Sequence, residues 1–317
     1  MFIICLAFSD FISPLLSYHI FVVNSYFGIW IFSKNVCSYY AIVQGLCGLV
    51  SIVSLSVIAL ERYAALAAPA DSGWRNMPLR KKSVISLLIW LYCLVVVIPP
   101  VFNFGNYVAA GFLTTCCFDY IDRSWPNRIF ILYLFTLGFG LPMIVIVFCY
   151  TQIAREAIKH QKLATQRLEM VNAKFERDHT DETVAFGVRF AGLATAESLN
   201  DVQEEKEEIV IPPPVKSIRK DLRAAKLVLL VIVVFCIAWG PYGIVALLGQ
   251  FGPENSVTPW MAMVPSIFAK SSTLYNPFLY AYKDVRFQRG LRKHVLKHSS
   301  AQKESSISAT TKNFVDA

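Results

Sequence analysis

Long runs without a single Asp, Glu, Lys or Arg constrain this chain more than any other feature. Residues 35–60, 83–118, 129–154 and 227–253 contain none, residues 2–23 contain only Asp10, and residues 255–282 contain only Lys270. Each run is long enough to cross ~30 Å of hydrocarbon as a helix, which takes roughly 20 residues. Backbone amides deprived of water must pair within their own segment or inside a closed barrel. Barrel strands are about 10 residues of alternating polarity, and these runs neither alternate nor stop so soon. The pattern predicts an all-α transmembrane helical bundle with spans at about 1–23, 37–66, 83–104, 128–155, 221–250 and 260–282. A soluble domain would carry about a quarter charged residues, against 16% here.

The placement of the basic residues orients the bundle. Arg62, Arg75, Arg80, Lys81 and Lys82 fall in one connection, while Arg155, Lys159, Lys162, Arg219, Lys220, Arg223 and Lys226 hug the membrane ends of another. The alternate connections are nearly bare. The excess puts the C-terminus and the long loop in the cytoplasm and predicts a multi-pass cell-membrane protein. The net charge of +8 is then membrane topology and attraction to inner-leaflet lipid, and nucleic acid is not an expected partner. Cys37, Cys116 and Cys117 lie on the predicted outer side, where disulfides persist. They allow at most one bridge, and spacing alone does not choose its members. The other cysteines fall inside spans as small apolar fillers. The first run has no basic start and holds Asp10 and Pro14, which does not match a signal peptide.

Between the spans the composition changes sharply. Residues 156–220 hold the run Glu204-Glu205-Lys206-Glu207-Glu208 and Pro212-Pro213-Pro214, which predicts a flexible cytoplasmic loop whose ends continue the flanking helices. After Tyr282, Phe287, Leu291 and Val295 recur every four residues among Arg286, Arg289, Arg292, Lys293 and Lys297. That spacing predicts an amphipathic surface helix over 284–297 on the cytoplasmic leaflet. It completes a unit spanning 1–297, with a Ser/Thr-rich disordered tail at 298–317.

Lys270 sits about ten residues from Trp260 and from Tyr280, hence ~15 Å from either interface. Lysines in spans usually lie near the ends and snorkel, and one at mid-depth costs ~3 kcal/mol or more on insertion scales. A water-filled cavity or an internal ion pair would explain it. The sharper reading uses desolvation, which lowers an amine's pKa and frees its neutral form to condense with an aldehyde. A Schiff base to a hydrophobic aldehyde fits such a site. No metal-ligand cluster is indicated.

The surroundings narrow this further. Pro265-Ser266-Ile267-Phe268-Ala269-Lys270-Ser271-Ser272, followed by Asn276-Pro277-Phe278-Leu279-Tyr280, resembles the last helix of an opsin, a rhodopsin-class G-protein-coupled receptor of the invertebrate or non-visual type. The resemblance implies retinal bound covalently to Lys270, a seven-helix receptor fold and a G-protein partner. It extends span by span from residue 1 to about 296, apart from the cytoplasmic loop. Glu61-Arg62-Tyr63 stands where the family carries its G-protein-gating arginine, and Asp221 where it often places that arginine's acidic partner. The implied Arg62–Asp221 clasp would make removal of the Asp221 charge raise dark activity. Cys236-Ile237-Ala238-Trp239-Gly240-Pro241-Tyr242 resembles the aromatic toggle, so Trp239 and Tyr242 are expected to line the chromophore pocket. Asp10 matches the buried acid of the family's second helix, Trp90 its fourth-helix tryptophan, and Pro142 with Tyr150 its fifth helix. The stretch 114–120 resembles the lid loop, which implies a Cys37–Cys116 disulfide and a free Cys117. Arrestin and a receptor kinase are implied partners, with the tail serines and threonines as targets.

Three departures from the family stand out. The resemblance begins at the second helix, so the sequence reads as a truncated gene model lacking the first. The counterion positions, three residues after the third-helix cysteine and in the lid, hold Tyr40 and Ala110 instead of acids, and Ser266 occupies a third. A buried cation needs an anion within ~4–6 Å. The Schiff base is therefore expected to be neutral and ultraviolet-absorbing, to bind chloride as counterion, or to draw on a loop acid such as Asp119. Lys283-Asp284-Val285-Arg286 matches no tripeptide pattern associated with a G-protein class. Competing readings are an opsin-type retinal photoisomerase, a receptor for a diffusible ligand and a transporter gated by Lys270. An amine receptor would carry an acid near Gln44, and repeats expected of transporters are absent. The favoured reading is a photoreceptor, not an enzyme, with Tyr40 and Gln44 joining the cofactor site.

Overall fold

The structure is a computed structural model that describes residues 1–67, 77–178, 213–283 and 290. The centre of the cytoplasmic loop, the expected surface helix at 284–297 apart from Gly290, and the tail at 298–317 lie outside the described residues. So do the side chains of Asp221, Asn276, Pro277 and Tyr280.

The helices are α1 (Phe2–Phe27), α2 (Lys34–Ala67), α3 (Leu79–Val97), α4 (Trp125–Phe135), α5 (Leu141–Asp178), α6 (Pro213–Phe251) and α7 (Pro259–Lys283). α4 and α5 form one span, joined by a π-helical turn at Thr136–Gly140. Among the described residues four stretches are long and apolar enough to cross a membrane unaided: Phe2–Phe27, Lys34–Leu66, Trp125–Leu163 and Leu222–Phe251. α3 opens on Arg80, Lys81 and Lys82, and α7 carries Lys270 among serines and threonines, so both are less apolar.

The polarity of the bundle is inverted relative to a water-soluble protein. On α1, Ser9, Asp10, Ser13, Ser17 and Asn24 are buried, while Ile4, Phe8, Phe11 and Leu15 stand on the surface at 53–65% exposure. On α3 the outward residues are Val84, Leu87, Leu88, Leu91 and Val95. Hydrocarbon solvates such a surface at no cost, whereas the buried hydroxyls and carboxyl need partners inside. Ser9 supplies one by donating to Leu6 O at 2.7 Å, and Ser17 donates to Ser13 O at 2.6 Å.

Prolines set two boundaries. α3 ends at Val97, short of the expected 104, because Pro99 and Pro100 lack amide hydrogens and exclude helical geometry before them; a 3₁₀ turn, Pro99–Phe102, follows. Pro142 has the opposite outcome and stays inside its span. The wide π turn before it removes the clash that its ring would make with a carbonyl one turn back. The Leu137 carbonyl freed there accepts a hydrogen bond from the Tyr92 hydroxyl at 2.7 Å.

The cytoplasmic ends run further than the charge pattern suggests, with α5 reaching Asp178 and α6 starting at Pro213. On the outer side the helical bundle adds one hairpin, β1 (Tyr107–Ala110) and β2 (Thr115–Phe118), paired antiparallel with Ala110 opposite Thr115 and Val108 opposite Cys117. Gly111 and Leu113 turn the chain with positive φ of 67° and 61°. The hairpin lies over α2 and α7 as a lid.

Candidate functional site

α7 carries Lys270 to the inner side of the bundle, and its half-buried ammonium meets the lid and α2. Nζ donates to the Thr115 hydroxyl of β2 and to the Tyr40 hydroxyl of α2, the latter at 3.3 Å, and lies 5.0 Å from the centre of the Tyr40 ring. Thr115 in turn donates to the Tyr40 hydroxyl at 3.3 Å. Both residues are almost wholly buried, Tyr40 at 0% and Thr115 at 4% exposure. The backbone at Lys270 is fixed as well, because its carbonyl accepts from Tyr18 of α1 at 2.7 Å.

One covalent link sets this geometry. Cys37 and Cys116 are joined in a disulfide with their Cα atoms 5.5 Å apart. Thr115 directly precedes the bridged Cys116, and Tyr40 lies one helical turn after Cys37. The bridge therefore brings both hydroxyl partners of Lys270 to the same place. Cys117 is free and buried. Burial pushes its thiol up to about 11, against a smaller opposite pull from the Lys270 charge, so it stays protonated and unreactive at neutral pH.

Among the described residues no carboxylate pairs with Lys270; the ion pairs there are Arg62–Glu61, Lys82–Glu61 and Lys159–Glu156. Both loop acids are turned to their own backbone. Asp119 accepts from the amides of Ile121 and Asp122 at 3.0 and 2.9 Å. Asp122 accepts from the Ser124 hydroxyl and amide at 2.7 and 2.9 Å, which holds its carboxyl below the usual range. Position 110 is an alanine directly across the hairpin from Thr115.

Aromatic rings from α6 and the lid pack together against α7 at Ala262 and Ala269, the latter next to the lysine. Tyr242 is buried and meets Phe118, Tyr120 and Trp239 edge-on at ring separations of 5.7, 6.2 and 6.2 Å. Trp239 stacks on Phe235 at 5.6 Å and donates through Nε1 to Ser272, two residues beyond Lys270, at 3.0 Å. It reaches α2 closely because position 48 is glycine, where an added Cβ would stand 2.5 Å from the indole ring.

Other expected site residues go elsewhere. Gln44, one turn beyond Tyr40, directs its amide to Ser17 and accepts from Ser13 at 3.4 Å, so it belongs to the α1–α2 seam. Asp10 lies in the same seam and accepts from Ser51 at 3.3 Å. At the cytoplasmic end Arg62 donates to Glu61 at 3.4 Å, and Glu61 is held more closely by Lys82 of α3 at 2.5 Å. Tyr63 packs against Phe148 of α5 at 6.0 Å. Tyr150 donates to the Ala225 carbonyl at 3.0 Å, tying α5 to α6. The Asp221 side chain, and with it the expected clasp to Arg62, lies outside the described residues.

The sequence pattern set Tyr40 in the cofactor site without its contact to Lys270 and gave no role to Thr115 or Ser272. The available signal was Thr115's place beside a lid cysteine in a segment of strand character.

The family described as "7 transmembrane receptor (rhodopsin family)" matches residues 1–280. The chain is 32% identical over 293 residues to a rhodopsin of Enteroctopus dofleini, covering 92% of this chain and 56% of the relative. It is 31% identical over 297 residues to a protein named "Rhodopsin, GQ-coupled" of Mizuhopecten yessoensis, at 93% and 52% coverage. A melanopsin of Branchiostoma belcheri is 31% identical over 294 residues, at 93% and 37% coverage. The chain thus spans about half the length of the curated rhodopsins it matches. Its fold is similar to the crystal structure of squid rhodopsin, with a TM-score of 0.74 and 30% identity over 92% of this chain and 74% of that one.

Proposed function

This chain belongs to the opsin branch of the rhodopsin family of seven-transmembrane receptors, and on that premise we propose that it is a light sensor binding retinal through Lys270. The observation that carries this reading is the Lys270 amine, held inside the bundle by two neutral hydroxyls and roofed by a disulfide-pinned lid. The residues present fit the group. A primary amine meets the Tyr40 ring, Trp239 is bonded to Ser272 two residues on, and among the described residues no ion pair ties up the lysine nitrogen. Attack of the neutral amine on the aldehyde carbon, with loss of one water, gives a Schiff base. Retinal, when bound, supplies the photoisomerisable polyene; the protein supplies position and electrostatics.

Without a carboxylate beside Lys270 the nitrogen faces two options. It stays neutral and absorbs in the ultraviolet, or it holds a proton against a small anion such as chloride lodged near Tyr40 and Thr115. The Asp119 route is less favoured, since that carboxylate already accepts two loop amides. Exchanging chloride for a larger anion while recording the spectrum separates the first two, because only the chloride form moves.

Trp239 is the natural relay. It touches α2 at Gly48, α6 at Phe235 and α7 at Ser272, so a shape change beside it bears on the α6–α7 packing. Outward movement of α6 would break the Tyr150–Ala225 bond and open the face near Arg62 to a heterotrimeric G protein. The name of the Mizuhopecten yessoensis relative makes the Gq class the first to assay. Arrestin and a receptor kinase follow as partners, and signalling rather than turnover is the output. Borohydride reduction of the retinal-treated protein tests the attachment: a retinyl group fixed on Lys270 and missing from Lys270→Ala supports it, and no fixation in either rejects it.

A further inference from the structure

α5 and α6 separate below the lid. Between them runs an apolar groove of about 610 Å³, lined by Ile146, Tyr150, Thr151, Ile232, Val233 and Cys236 among others. Its α5 wall runs from Met143 to Ala154, ~16 Å along a helix, about half the thickness of the ~30 Å hydrocarbon core. That is the depth of one leaflet. The groove opens sideways toward hydrocarbon, since Val147, Leu229, Val233 and Ile237 on its rims are 40–68% exposed.

Its cytoplasmic mouth is basic. On α6 the exposed stripe Ile237, Val233, Leu229 continues at helical spacing to Lys226. On α5, Arg155 lies one turn beyond Thr151. The Tyr150–Ala225 hydrogen bond, at 3.0 Å, ties the two helices one residue from Lys226 and five residues from Arg155. Both side chains are exposed, and among the described residues neither makes an ion pair. Two exposed cations, one from each helix, thus flank the cytoplasmic end of the apolar slot.

We propose that an anionic phospholipid of the cytoplasmic leaflet binds here, with one acyl chain in the α5–α6 groove and its headgroup on Arg155 and Lys226. The inference does not depend on Lys270. Acyl-chain contact accounts for the apolar lining, and the charge pair gives the headgroup preference.

The full chain in phosphatidylcholine nanodiscs, titrated with spin-labelled phosphatidylserine or spin-labelled phosphatidylcholine, tests this directly. Preferential immobilisation of phosphatidylserine is expected. Arg155→Gln and Lys226→Gln should each reduce that preference roughly fivefold, as for one charge near an anionic surface; both positions are exposed, so folding is not at stake. Val233→Phe should shrink the immobilised component by filling the slot. Equal immobilisation of the two lipids, or a preference unchanged in the double charge variant, overturns the proposal. So does efficient Val233→Cys cross-linking between copies with the label excluded, which would assign the groove to a second copy.

Discussion

The Lys270 ammonium rests 5.0 Å above the centre of the Tyr40 ring and 3.3 Å from its hydroxyl, a neutral phenol standing where a buried cation usually meets a carboxylate. The contact combines a cation–π attraction with a hydrogen bond, and neither supplies a full negative charge.

An acid placed beside the lysine should supply the full negative charge that Tyr40 lacks. Ala110 pairs directly with Thr115, and directly opposed side chains share one face of a hairpin about 5 Å apart. Ala110→Glu should keep the retinal-bound nitrogen protonated to a pH about 1–3 units higher, because an opposite charge favours the charged form. Absorption spectra recorded across pH check this. A band that stays in the ultraviolet at every pH would contradict it.

Removing the lid's anchor should loosen the site. Cys116→Ser opens a bridge that closes a separation of 79 residues and should cost about 2–5 kcal/mol. Thermal unfolding of this variant, beside Cys117→Ser as a control that keeps the bridge, reads the difference. Equal melting of the two would show that the lid is held by packing alone.

Gly48→Ala puts a methyl 2.5 Å from the Trp239 ring. The indole must tilt or α2 and α6 must part, at a cost of about 1–3 kcal/mol. The same displacement pulls Trp239 from Ser272. Loss of stability together with a shift in tryptophan fluorescence is expected, whereas Gly240→Ala, with nothing within 4 Å of its added Cβ, should leave both nearly unchanged.

Tyr92→Phe leaves the Leu137 carbonyl at the π turn without its 2.7 Å partner. An unsatisfied buried acceptor costs about 1–3 kcal/mol, and the membrane offers no water to replace the hydroxyl. A chemical-denaturation series comparing this variant with the parent measures it.

The membrane-spanning architecture was legible because charge-free length and the requirement to pair every buried amide leave few alternatives. Lys270 was equally plain, being a charge where charge is expensive. Thr115 was not legible as its partner. Their meeting depends on which outer cysteine joins Cys37, and spacing alone left that open until the family resemblance pointed to Cys116. The extent of α5 to Asp178 was hidden by a composition rich in charge, which reads as loop although a helix can project from the bilayer. Pro99 and Pro142 show the limit from the other side. One ends its helix and the other is absorbed by a π turn, and the choice lies in whether a neighbour such as Tyr92 can satisfy the freed carbonyl. The contacts of Gln44 were not legible either, since Ser13 and Ser17, which hold its amide, lie on a different helix.

The most direct test is the absorption spectrum of the purified protein incubated with retinal in darkness. A new band, ultraviolet or visible, that is absent from Lys270→Ala is the predicted result. A spectrum that remains the sum of free retinal and protein would contradict the account at its centre.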